Sequence, residues 1–353
     1  MAKLDPLAIH MNARVRGMMS ELFTHRQLDE MLDKGDVDQL AQVLVESPYK
    51  KEIAEALTQR GGADAIELGV SRNLVETYRQ LIRVAQGNLH GPVRLFLMRW
   101  DLAGIKALLR NRHHGLDAVA GFDSLIPGPT LTVALMNEFA GRSSMEDLIS
   151  ALASWNPALC GPLAASADSY HGEGGLQVLE DALDRNYFVT NARRLGGETD
   201  TSSGILRQTL RIEIDRINLR MILQHRQAGG DSGFSHDHLL PSGYLGASVL
   251  EAMSGSRDAA DAIEHLGGTR YADLAERLAS FIQSNRYAPI DRMMELLMIQ
   301  NLRHLSRERI MTMAILMYYT WLKYNEVVNL RMIARGEARH LPRGRVREEV
   351  LYA

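Results

Sequence analysis

One short helical motif is written almost verbatim at two places in the sequence and in weaker form at a third. EIDRINLRMILQHR occupies 213–226, YNEVVNLRMIARGE occupies 324–337 and RWDLAGIKALLRNR occupies 99–112. The copies align on the acids Asp101, Asp215 and Glu326. Three residues on stand Gly104, Asn218 and Asn329; four on, Ile105, Leu219 and Leu330; seven on, Leu108, Ile222 and Ile333. The residue five on is a base in every copy: Lys106, Arg220 and Arg331. The acids are 114 and 111 residues apart. Such a period requires one supersecondary unit to recur along the chain, which restricts the fold more than any compositional figure does.

The matching extends beyond the motif. Asp101 to Pro127 and Asp215 to Pro241 both span 26 residues, whereas HLP at 340–342 comes ten residues sooner, so the third copy reads as having a shortened tail. QLAQVLVESPYKKEIAEAL (39–57) resembles DAIEHLGGTRYADLAERL (261–278), and DLISALASWNPALCGPL (147–163) takes this place without the tyrosine. Tyr49 precedes Asp101 by 52 residues and Tyr271 precedes Glu326 by 55. In linear order the chain therefore reads as three related units, 1–115, 116–230 and 231–353.

Each unit reads as helix. Apolar residues recur at spacings of three and four, helix formers dominate, and alternating Val/Ile/Thr runs are scarce. The fold class expected is all-α, a set of three related helical bundles. Breaks fall at QRGGAD (59–64), NLHGP (88–92), IPGP (126–129), YHGEGG (170–175), LGGETDTSSG (195–204), QAGGDSG (227–233) and SGS (254–256). Ser306 with Glu308 two residues on predicts an N-cap for a last helix running from about Arg307 to about Arg339.

On a helix, positions i, i+3, i+4 and i+7 share a face. Asp215, Asn218, Leu219 and Ile222 form one stripe, and Glu326, Asn329, Leu330 and Ile333 another. Each stripe buries an acid and an amide among apolar residues, and a buried acid needs a partner. The base five residues on is turned roughly 140° away at 3.6 residues per turn, so the partner is expected from another helix. A carboxylate placed this way is either a catalytic or ligand group or a polar anchor that fixes helix register. Threefold repetition favours the anchor.

Other motifs carry less. GDSG (230–233) imitates a serine-protease signature, but that chemistry belongs to a β-barrel with His and Asp partners. SHDH (235–238) and RHH (112–114) are the metal-binding candidates, without a carboxylate set of diagnostic spacing. A di-iron bundle needs Glu-x-x-His on two helices, and only Glu337–His340 fits. G-x-x-x-x-G-K-[ST] does not occur. The Met-rich stretches 293–302 and 310–319 read as core of the last helix pair rather than as a binding groove. No catalytic residue, cofactor site or metal site is therefore expected. A net charge of −3 argues against nucleic-acid or membrane binding through bulk charge. Cys160 is the sole cysteine, so no intrachain disulfide is available. The longest strongly apolar stretch, IMTMAILMYYTWL (310–322), falls short of the roughly 20 residues a spanning helix needs. MAKLDPLAIHMNARVRG lacks the long apolar core of a signal peptide.

MNARVRGMMSELFTHRQLDEML (11–32) and NEVVNLRMIARGEARHLP (325–342) resemble the two ends of the C-subunit family of V/A-type rotary ATPases, homologous to the d subunit of the eukaryotic V-ATPase. The threefold helical repeat fits the same family over essentially the whole chain; Gly104 in place of Asn and the tyrosine missing from the middle unit depart from it. The resemblance implies a funnel of three helical domains about a pseudo-threefold axis. It implies a non-catalytic rotor part on the cytoplasmic face of the membrane, resting on the proteolipid ring and receiving the central shaft subunits D and F. Membrane contact would then run through the partner only, with no nucleic acid involved. Two other classes remain open on residues alone: a helical-repeat adaptor of an unrelated complex, and a carboxylate-metal enzyme.

Overall fold

The computed structural model describes residues 6–116, 127–171, 175–227, 238–282 and 288–352. Among them every regular element is a helix and none is a strand. No helix among them is long and apolar enough to cross a membrane. The chain divides into two compact units, one formed by 1–167 together with 302–353, the other by 168–301.

The first unit opens with α1 (Pro6–Met19), α2 (His25–Lys34), α3 (Val37–Val45), α4 (Lys50–Leu57) and α5 (Gly62–Val84). It continues with α6 (His90–His113), α7 (Val133–Ala140), α8 (Met145–Trp155) and most of α9 (Pro157–His171). Side-chain caps set several helix starts. Thr24 and Gln27 form a reciprocal capping box on α2, Asp36 caps α3 and Ser144 caps α8, each satisfying amides that have no partner within the helix. The core of this unit joins α5 to α17 (Ala314–Ala338). Its centre is aromatic: Tyr78, Trp100 and Trp321 pack in series as tilted rings with centroids 4.9 and 6.0 Å apart. The Arg99 guanidinium lies over Trp100 and Trp321 at 4.9 and 4.1 Å, so its charge sits against two π faces.

The second unit contains α10 (Gly175–Asp184), a π-helical turn Arg185–Thr190, α11 (Asn191–Arg194) and α12 (Thr201–Gln227). After it come α13 (Ala247–Ser254), α14 (Ala259–Glu264), α15 (Ala272–Ile282) and most of α16 (Ala288–Glu308). The wide turn lets the consecutive residues Tyr187, Phe188 and Val189 all bury. A last helix, α18 (Arg343–Glu349), follows α17 in the first unit.

One helix boundary departs from expectation. Ser306 is not an N-cap: it lies inside α16 and donates from Oγ to the Arg303 carbonyl at 2.8 Å. A turn then intervenes, with Met311 at φ 62° and Thr312 donating from Oγ1 to the Arg309 carbonyl at 2.7 Å. α17 begins only at Ala314, so the stretch expected as one helix is the end of α16 and the whole of α17. The Met-rich segments are core, with Met294, Met298, Met313 and Met317 each at most 2% exposed.

Candidate functional site

The three motif acids sit near the middle of the long helices α6, α12 and α17. On α12 the whole stripe is buried, with Asp215, Asn218, Leu219 and Ile222 all at 0% exposure. Asp215 accepts from the backbone amides of Tyr244 and Leu245 at 2.8 and 3.1 Å, and from the Tyr271 hydroxyl at 2.6 Å. Asn218 binds the same returning segment: Nδ2 donates to the Leu240 carbonyl, and the Leu240 amide donates to Oδ1, both at 2.8 Å. Acid and amide together clamp the stretch of chain 240–245 onto α12, and α13 starts two residues later.

The same clamp recurs. Asp101 accepts from the amides of Thr130 and Leu131 at 3.0 and 2.7 Å and from the Thr130 hydroxyl at 2.7 Å, just before α7. Leu131 follows its acid by 30 residues, as Leu245 follows Asp215. Glu326 accepts from the Phe23 amide at 2.5 Å and the Tyr49 hydroxyl at 2.6 Å. In all three cases the bound amide belongs to the residue directly before a helix N-cap: Leu131 before Thr132, Leu245 before Gly246, Phe23 before Thr24. Tyr49 follows Phe23 by 26 residues and Tyr271 follows Leu245 by 26, so the two tyrosines are equivalent.

Two alignments made on sequence alone are thereby corrected. The tyrosine does not belong with the acid that follows it: Tyr49 binds Glu326 and Tyr271 binds Asp215. The third tail is not shortened either. Asn329 exchanges both hydrogen bonds with Leu351, at 2.9 and 3.1 Å and 22 residues on, the offset that separates Asn218 from Leu240. Val350-Leu351 is thus the counterpart of Leu239-Leu240, and HLP at 340–342 is the break between α17 and α18. The third clamp draws its helix and the segment on Asn329 from the end of the chain, and the segment on Glu326 from the beginning. The two pieces are also joined by Arg347 to Asp33 at 2.8 Å and by the Tyr352 hydroxyl to Asp29.

The clamps differ in their chemistry. A Cβ on Gly128 would lie 2.1 Å from Asp101 Oδ1, and one on Gly243 would lie 2.0 Å from Asp215 Oδ1, so glycine lets the backbone pass directly over each short acid. The third clamp uses the longer glutamate, and Glu21 occupies the place of Gly243, two residues before the clamped amide. Gly104, where the other copies have Asn, is filled from the other side: a Cβ there would lie 2.7 Å from the Leu131 side chain. Burial pushes the carboxyls of Asp101 and Asp215 above the usual carboxylate range, against the opposing pull of their donors. Near Glu326 lies a buried cation, Lys323, at 3.1 Å, its ammonium also 3.8 Å from the Tyr49 ring centroid. Burial lowers the Lys323 pKa even with that carboxylate beside it.

Two of the bases five residues on, Arg331 and Arg220, serve other acids. Arg331 meets the buried Glu67 of α5 at 3.2 Å, and Arg335 holds the other side of Glu67. Arg220 meets Asp291 of α16 at 3.3 Å, and Arg216 meets it at 3.0 Å. Each is thus a tie from a motif helix to a neighbouring long helix. Lys106 is half-buried on α6. The partner of Asp101 and Asp215, expected on another helix, lies instead in the non-helical segments before α7 and α13 and, for Asp215, also at Tyr271 just before α15, and it is backbone amide and hydroxyl rather than a cation. Sequence reasoning misses Glu67, Thr130 and the two clamping glycines. The glycines leave a signal there, following their acids by 27 and 28 residues.

Of the remaining candidates, GDSG (230–233) and the first three residues of SHDH lie outside the described residues. His238 faces Asp181 at 2.7 Å. Arg112 donates to the Ala140 carbonyl at 3.1 Å, while His113 and His114 pack ring to ring. His340 adopts φ 53° in the break after α17. Among the described residues no group of three or more His, Cys, Asp or Glu side chains is placed to hold a metal.

Comparison with known proteins gives these helices a context. The family model described as ATP synthase (C/AC39) subunit matches residues 11–349. The C subunit of the A-type ATP synthase of Methanothermobacter thermautotrophicus is 27% identical over 329 residues, covering 92% of this chain and 83% of that protein. The C subunit of the V-type ATP synthase of Deinococcus radiodurans is 27% identical over 348 residues, covering 97% and 90%. The A-type counterpart from Haloquadratum walsbyi is 24% identical over 343 residues, covering 97% of each. The chain belongs to the ATP synthase (C/AC39) subunit family, accessory and non-catalytic components of the rotary ATPases.

Proposed function

We propose that this protein links the membrane proteolipid ring to the central shaft subunits D and F, turning with them on the cytoplasmic face of the membrane. The observation that carries the reading is the clamp repeated on three long helices. A coupling that transmits torque must keep each helix in register with the chain that returns along it. Buried acids saturated by fixed amides and hydroxyls supply that register, and close-packed interiors deform little under load. In this reading Asp101, Asp215, Asn218, Glu326 and Asn329 are structural anchors, while Arg220 and Arg331 tie neighbouring helices.

In the same reading each clamp heads one of three units about a pseudo-threefold axis, in the funnel that the family resemblance implies. The linear thirds 1–115, 116–230 and 231–353 approximate these units, with 21–57 reassigned to the unit of Glu326. The test is a pull-down with purified D and F, and separately with the detergent-solubilised ring. Binding to both is expected. Binding to neither, at low and moderate salt, would leave the unrelated adaptor as the reading.

A further inference from the structure

Between α6, α17 and α18 in the first unit lies an open cleft of about 650 Å³, within the size range of ligand sites. Val328, Met332 and Leu341 give it an apolar floor, and Arg331, Arg335, Arg339 and Arg345 line it against a single acid, Glu349. Arg331 and Arg335 are held by Glu67. Arg339 and Arg345 are exposed and make no ion pair among the described residues. Leu341 is 49% exposed. A chain whose net charge is −3 thus gathers four guanidinium groups around one apolar surface.

Arg331, Arg335 and Arg339 recur every four residues from α17 into its C-cap, so their Cβ atoms follow one face in steps of roughly 5–6 Å, the first two heads meeting on Glu67 and leaving Arg339 open beside Arg345. A compact phosphate is best held by several donors converging on one point. Open arginines beside an apolar floor fit instead carboxylates flanking an apolar side chain. We propose that this cleft receives an acidic amphipathic segment of a partner protein, seating a leucine- or phenylalanine-sized side chain on Met332 and Leu341. Its carboxylates would lie on Arg339, Arg345 and the outer side of Arg335. The inference rests on the bridging role above for the presence of a protein partner, while the chemistry comes from the cleft alone.

The experiment uses the full chain and a labelled helical peptide with glutamates four residues apart around leucine, read by fluorescence anisotropy. Saturable binding is expected, weakening steeply as salt rises through about 0.15 M. Arg339→Ala/Arg345→Ala is expected to weaken it by about tenfold or more, equivalent to about 1.4 kcal/mol. Both side chains are exposed, so this variant keeps the wild-type helical circular dichroism. A control, Arg26→Ala/Arg79→Ala, removes the same charge elsewhere and leaves affinity unchanged. Undiminished binding by the cleft variant, or equal binding of a lysine-for-glutamate peptide, overturns the proposal. Displacement of the peptide by inorganic pyrophosphate, or by phosphatidylglycerol vesicles that need the same arginines, also overturns it, in favour of a small anion or a lipid. If the peptide fails while shaft and ring pull-downs succeed, the cleft assignment falls and the coupling role stands. If the peptide binds and both pull-downs fail, the reverse holds.

Discussion

The Asp215 clamp and the Glu326 clamp place an acid between one helix, one returning segment and one tyrosine, yet the chain connects them differently. At Asp215 the helix, the clamped amides and Tyr271 follow one another within 56 residues. At Glu326 the tyrosine is 277 residues away in sequence and the helix that carries the acid is near the other end of the chain. The first clamp organises a continuous stretch; the second joins two remote ones. A clamp that joins remote segments must overcome a larger loop-closure entropy, though only by a logarithmic factor. It also differs in composition: the Asp215 clamp has a short acid under a glycine, while the Glu326 clamp has a longer acid, no glycine and a buried lysine.

The largest effect should separate the two acids. Glu326→Ala leaves the Lys323 ammonium buried without its carboxylate, which costs about 3–5 kcal/mol. Asp215→Ala leaves two amides and a hydroxyl without an acceptor but no comparably buried cation, and we expect about 2–3 kcal/mol. Urea denaturation of both variants decides this. Equal small losses, below about 1 kcal/mol, would mean that neither acid is buried as described.

Next in size is the glycine that distinguishes them. Gly243→Ala forces a methyl onto the carboxylate of Asp215, and Gly128→Ala forces one onto both the carboxylate and the backbone of Asp101. We expect about 1–3 kcal/mol for each, the larger at Gly128 where backbone cannot yield. Glu21→Ala, at the corresponding place of the Glu326 clamp, should change stability by less than about 0.5 kcal/mol. Thermal or urea melts of the three variants sharpen or erase the contrast.

Much of this site is legible in the sequence, for a physical reason. A stripe of Asp, Asn, Leu and Ile at helical spacing can bury an acid only if something saturates it, and repetition at Asp101, Asp215 and Glu326 marks that partner as architectural. The identity of the partners is not legible, because backbone amides carry no sequence signature. Nor is the completion of the third clamp by Phe23 and Tyr49: a repeat read in linear order assigns Tyr49 to Asp101, which follows it, whereas Tyr49 binds Glu326, 277 residues on. The start of α17 is misplaced from sequence because Ser306 and Glu308 have capping chemistry, but the left-handed Met311 and the Thr312 turn place the break after them.

The smallest effect is one of pH. With its folded pKa raised by burial, Asp215 takes up its proton more readily in the folded than in the unfolded chain. Its contribution is therefore fully present below the ordinary aspartate value and is lost as pH rises through the raised one. The stability of the wild type relative to Asp215→Asn should accordingly fall as pH rises across that window. A difference that stays flat, or that rises with pH, would mean the donors outweigh burial.

The central claim is that the beginning of the chain completes the clamp on Glu326, and a double-mutant cycle between Tyr49→Phe and Glu326→Gln tests it most directly. The two hydroxyl-to-carboxylate bonds at Glu326 and Asp215 have the same length, 2.6 Å, so the Tyr271→Phe/Asp215→Asn cycle is the internal standard. We predict a coupling of about 1–2 kcal/mol in both cycles, and additivity within about 0.5 kcal/mol for Tyr49→Phe with Asp101→Asn. Additivity of Tyr49→Phe with Glu326→Gln, or coupling of Tyr49 to Asp101 instead, would contradict the closure and return Tyr49 to the acid that follows it in sequence.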